Sequence, residues 1–88
     1  MYLKLNSLFE AEVSYKKALE LYKLSNNIVG KGNSLQGLGR IQMARSQFQD
    51  AKILFEDALA LHKQAQAING QANDEKYLNE ILQKIKQC

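Results

Sequence analysis

Apolar and polar residues along the chain follow helical rather than strand spacing. From Leu8 to about Asn26, the residues Leu8, Ala11, Tyr15, Ala18, Leu19 and Tyr22 recur at intervals of mostly three or four. That spacing lays them on one stripe of an α-helix. A second segment is predicted from about Lys31 to Arg45, with Leu35, Leu38, Ile41 and Ala44 on one face. A third runs from Phe48 to about Ala67 with Phe48, Ala51, Phe55, Ala58, Leu59 and His62 on its inner stripe. The fourth runs from about Gln71 to Gln87 and carries Tyr77, Leu78, Ile81, Leu82 and Ile85. Asn26-Asn27 with Gly30, Ser46-Gln47, and Asn69-Gly70 punctuate these segments as helix stops and turns.

Ser7 with Glu10 three residues on has the capping-box arrangement for the first helix. Asn6-Ser7 then reads as a turn after a short helical stub, Met1 to Leu5. With no proline to stop it, the third helix is expected to run on toward Gly70. Gly37 and Gly39 lie inside the second helix, each costing up to about 1 kcal/mol relative to alanine. Such a penalty is tolerated where a neighbouring backbone must come close.

The segments repeat. Sliding the chain by 40 positions superposes Ala11 on Ala51, Ala18 on Ala58, Leu19 on Leu59, Gly30 on Gly70, Asn33 on Asn73, Leu38 on Leu78 and Ile41 on Ile81. Tyr15 meets Phe55, a conservative exchange. A fixed period in this range marks stacked supersecondary units that bury a continuous core only together. The expected fold class is therefore all-α: antiparallel helix-turn-helix repeats stacked as a short α-solenoid of about four helices.

Composition narrows the function classes. Eighty-eight residues make at most one domain, and a chain of that size hides only about 60–65% of its unfolded surface. The formal charge is +3, and lysines alternate with acids, as in Glu10, Glu12, Lys16, Lys17, Glu20 and Lys23. That reads as a solvated helical face, and with arginine only at Arg40 and Arg45 it argues against nucleic acid as partner. The longest apolar runs fall far below a membrane span, and no signal-peptide pattern opens the chain. The single cysteine, Cys88, forms no internal disulfide and fits a reducing compartment, so a cytoplasmic location is expected.

The second and third segments resemble the tetratricopeptide repeat in its longer, roughly forty-residue form. The residues that carry the resemblance are Leu35, Leu38-Gly39, Gln42, Ala51, Phe55 and Ala58. Ala11, Tyr15 and Ala18 supply a preceding second helix, and Tyr2 falls at the aromatic position of a lost first helix. The fourth segment supplies a following first helix, with Asn79 where the family prefers glycine and Glu75 at the bulky position. The resemblance implies a half repeat over residues 1–29, a full repeat over 30–69 and a half repeat or cap over 70–88. Both ends then carry apolar faces that an array would cover. The expectation is that the chain is excerpted from a longer protein or associates with itself.

No constellation for catalysis presents itself. His62, the lone histidine, stands where Tyr22 stands one repeat earlier, which reads as an aromatic position on the packed stripe. His62 and Cys88 are too few for a zinc site, so no metal or cofactor is expected. Gly30-Lys31-Gly32-Asn33-Ser34 lacks both the ending and the preceding strand of a phosphate loop, and reads as an inter-repeat loop with glycine as the helix stop.

What the resemblance implies is a non-enzymatic protein-interaction module whose first helices line a concave groove. Carried over by register, the partner-facing positions are Asn33, Gln36, Arg40 and Met43 in the second segment, and Asn73, Lys76, Tyr77, Glu80 and Gln83 in the fourth. The asparagines offer donor and acceptor together, and Arg40 and Lys76 suit carboxylates. The expected partner is a protein or peptide, favouring an acidic or carboxylate-bearing one. The alternative is a structural, self-associating fragment of a larger scaffold or signalling protein, forming a homo-oligomer or swapping helices.

Overall fold

The computed structural model describes residues 5–86, and those residues form four helices and no strand. They are α1 (Leu5–Ser25), α2 (Ile28–Ala44), α3 (Phe48–Gln64) and α4 (Ile68–Lys86). Tyr2 and most of the expected amino-terminal stub, like Cys88, lie outside the described residues.

One turn is used three times. Asn26, Ser46 and Gln66 hold φ at 56°, 61° and 58°, the left-handed conformation that ends many helices. Beyond each, an amide reaches back five residues: Asn27 N–H donates to the Tyr22 carbonyl at 3.0 Å, Gln47 to Gln42 at 2.8 Å, and Ala67 to His62 at 2.8 Å. Asn26, Ser46 and Gln66 themselves donate to the carbonyls three residues back. This paired closure satisfies carbonyls that a helix end leaves orphaned. It reverses the chain within two or three residues, so antiparallel helices follow at a spacing of 20 residues, two per forty-residue unit. Asn27 also caps α2, its Oδ1 accepting from the Gly30 amide at 2.8 Å.

Three sequence expectations change here. The third helix does not run on toward Gly70; it stops at Gln64, because a left-handed Gln66 closes the end without glycine or proline. Gly30 and Gly70 are not helix stops but lie in the first turns of α2 and α4, and no glycine has positive φ. Accordingly residues 30–34 are helix rather than loop. The turn expected at Asn6-Ser7 is also absent, since α1 begins at Leu5 and runs through both residues. Serine and asparagine cost a helix interior only about 0.5–0.7 kcal/mol each, too little to break a helix that packing supports.

Each helix packs on its sequence neighbours; α2 also touches α4, while α1 reaches neither α3 nor α4 among the described residues. Contact between consecutive helices, with one further contact between α2 and α4 in adjacent units, is the arrangement of a short α-solenoid. The core lies in the α2–α3–α4 unit. Ala51, Phe55, Ala58 and Ile81 are completely buried, and Met43, Phe48, Tyr77, Leu78 and Ile85 pack around Ala51, Phe55 and Ile81. Phe55 stacks on Tyr77 with ring centroids 4.9 Å apart, a geometry that adds about 0.5–1.5 kcal/mol to the burial itself.

The small residues serve rings rather than backbones. A Cβ on Gly39 would lie 2.9 Å from the Phe55 ring, and one on Gly37 would lie 2.4 Å from Tyr15. Aromatic knobs from the adjacent helix therefore seat directly on α2, and the missing side chains are what let them in. No helix among the described residues is long and apolar enough to cross a membrane.

Candidate binding face

The predicted groove positions fall on α2 and α4, the two helices that touch without being consecutive. Building outward from their line of contact, the first layer is polar and enclosed. His62 and Asp74 are both completely buried. The His62 Nδ1–H donates to Asp74 Oδ2, while Gln36 Nε2 donates to Asp74 Oδ1 at 2.9 Å. His62 Nε2 lies 3.0 Å from Asn33 Oδ1. The doubly protonated ring makes both contacts as they stand; a neutral ring makes them with the Asn33 amide turned to donate. The network joins α2, α3 and α4, and among the described residues no buried side-chain nitrogen or oxygen is left without a partner.

Glycine makes room for this network. A Cβ on Gly70 would come within 2.6 Å of the His62 ring and one on Gly32 within 2.7 Å. Forty residues earlier Tyr22 occupies the His62 position over Gly30, and Ser34 the Asp74 position. The first interface is thus packed by an aromatic ring where the second is hydrogen-bonded.

Outside this layer lies the exposed face. Arg40 extends over Tyr77, its guanidinium carbon 5.9 Å from the ring centroid, so the cation meets the same ring on which Phe55 stacks. Asn73, Lys76 and Glu80 on α4 are exposed, as are Asn33 and Arg40 on α2.

The nine groove positions therefore divide. Arg40, Asn73, Lys76, Glu80 and Gln83 present their side chains outward. Asn33 is exposed but tied to His62, and Gln36 is half-buried and tied to Asp74. Met43 and Tyr77 are half-buried against the core. Asp74 escapes a reading by apolar periodicity because its residue type says surface. Its position carried a signal nonetheless: Tyr77, Leu78 and Ile81 follow at three, four and seven residues, so Asp74 heads the inner stripe of α4. An acid there demands a buried partner, and His62 is the one on α3.

Comparison with protein-family models, with curated proteins and with solved structures finds no match for the chain.

Proposed function

We infer that the chain is a tetratricopeptide-like helical-repeat module without enzymatic activity, binding a peptide or protein segment along the face shared by α2 and α4. The observation that carries this reading is Arg40 braced over Tyr77 beside exposed Lys76 and Asn73, with none of the three needed to hold the core together. A guanidinium already positioned on a ring loses less freedom on meeting a carboxylate, and Asn73 adds an amide able to meet a peptide backbone. The partner chemistry favoured is an acidic or carboxylate-bearing segment.

The test is fluorescence-polarisation titration of a panel of labelled peptides rich in Asp and Glu. The parent binds a subset, and the Arg40→Glu, Lys76→Glu double variant loses at least about tenfold in affinity, the fold-change that 1.4 kcal/mol corresponds to. A double variant that keeps the parent's affinity for every peptide bound ends the reading.

Self-association is the second reading. It is favoured by Phe9, Leu21 and Leu24, which are 62%, 66% and 83% exposed on α1, away from the stripe packed on α2. Light scattering across a concentration series separates the two, since a strict monomer removes the second.

A further inference from the structure

α1 packs on α2 with one side and turns another stripe to solvent. Phe9, Val13, Lys17, Glu20 and Leu24 recur at intervals of three or four on that outer side, and all five are exposed. The fold does not require apolar residues there. Forty residues on, the same positions of α3 are Gln49, Ile53, Asp57, Ala60 and Gln64, so glutamine stands where α1 carries Phe9 and Leu24.

α3 also shows what does not cover such a stripe. It is flanked by α2 and α4, and its five positions stay exposed all the same. A helix stacked on α1 as α2 is stacked on α3 would therefore leave Phe9 and Leu24 open. Residues 1–4 are too few to cover the stripe: fully extended they span at most about 14 Å, against about 28 Å along the helix from Leu5 to Leu24.

The stripe is complementary to itself. From Val13 through Lys17 and Glu20 to Leu24 it runs apolar, basic, acidic, apolar. Two copies meeting antiparallel, with a two-fold axis level with Ala18 and Leu19, set Val13 opposite Leu24 and Lys17 opposite Glu20. Each of these pairs then occurs twice. A parallel meeting would oppose lysine to lysine and glutamate to glutamate, which is unfavourable. Lys17 makes no ion pair among the described residues. Glu20 meets Lys23 at 3.6 Å with both side chains more than half exposed, a contact weak enough to exchange.

We propose, resting on the self-association reading above, that α1 pairs antiparallel with α1 of a second copy through Phe9, Val13, Lys17, Glu20 and Leu24. The face shared by α2 and α4 takes no part and stays open in each copy. A single helix pair lies at the low end of interface size, below about 1,200 Å², so the dimer dissociates on dilution.

Sedimentation equilibrium of the full chain across a concentration series measures this dimer. Phe9→Gln with Leu24→Gln, the residue α3 carries at both places, weakens it at least about tenfold and leaves the unfolding midpoint of the dilute monomer unchanged. Lys17→Glu sets like charges opposite each other and weakens it about fivefold. Adding Glu20→Lys to that variant restores it. Arg40→Glu with Lys76→Glu, on the other face, leaves it unchanged. In a mixture of isotope-labelled and unlabelled chains, NMR shows Val13 methyl groups touching Leu24. Within one helix those residues lie about 16 Å apart, so the contact is between copies. A chain that stays monomeric overturns the proposal and the self-association reading together. A dimer that the glutamine pair leaves intact, or that the double charge exchange fails to restore, overturns the proposal alone.

Discussion

Asp74→Ala is the perturbation that reads the polar layer most directly. Asp74 accepts from both His62 Nδ1 and Gln36 Nε2, and it is completely buried, as is His62. Removing the carboxylate leaves the imidazole N–H without a partner in a place water does not reach, at about 1–3 kcal/mol. Gln36 is only half-buried, so its amide turns toward solvent and adds less than about 1 kcal/mol. The expected loss is about 1–4 kcal/mol. Chains of this size are stable by only about 4–13 kcal/mol, so the variant is expected to melt roughly 5–30 °C lower. Glu75→Ala, one residue on and exposed, is the control and changes stability by no more than about 0.5 kcal/mol. The assay is urea unfolding followed by circular dichroism, where the midpoint falls and the slope stays constant if only stability has changed. A double variant, His62→Phe with Asp74→Leu, removes both ends of the pair and regains most of the loss, because no polar group is then stranded. Asp74→Ala within about 0.5 kcal/mol of the parent, or a double variant no better than Asp74→Ala, refutes the reasoning.

Other substitutions probe the packing and the turns. Phe55→Ala deletes a completely buried ring and its stack on Tyr77, and denaturant melts should show a loss of about 3–5 kcal/mol. Gly39→Leu improves helix propensity by up to about 1 kcal/mol yet places a side chain against Phe55. A net loss in the same melts is expected, and a neutral or stabilising result would mean that the ring does not rest there. Gln66→Gly relieves a left-handed non-glycine residue at φ 58° and should raise stability by up to about 1 kcal/mol; a fall in melting temperature would argue against that turn.

Much of the architecture could be read from the residues alone. Apolar spacing and the forty-residue offset identify four helices, their order and the large knobs Tyr15 and Phe55, because helix burial repeats with the period of the helix itself. The reversal at Ser46-Gln47 follows from the same pattern. Helix ends were less legible. The turns close on backbone hydrogen bonds that asparagine, serine and glutamine each accept in left-handed form, so residue type at those positions carries little signal. The glycines misled for the opposite reason: their use is to admit the Tyr22 and His62 rings, a requirement set by another helix.

Tertiary structure alone decided the chemistry of the interface between α2 and α4. Sequence placed Asn33 and Gln36 on the outward face and left Asp74 unmarked, since periodicity registers hydrophobicity and an acid counts as surface. Folding brings residues 29 and 38 positions apart in sequence into hydrogen-bond contact and removes water from His62 and Asp74 together. Once water is gone, each polar group must find its partner within the protein. Which groups meet depends on how three helices cross, and no single helix's pattern contains that information.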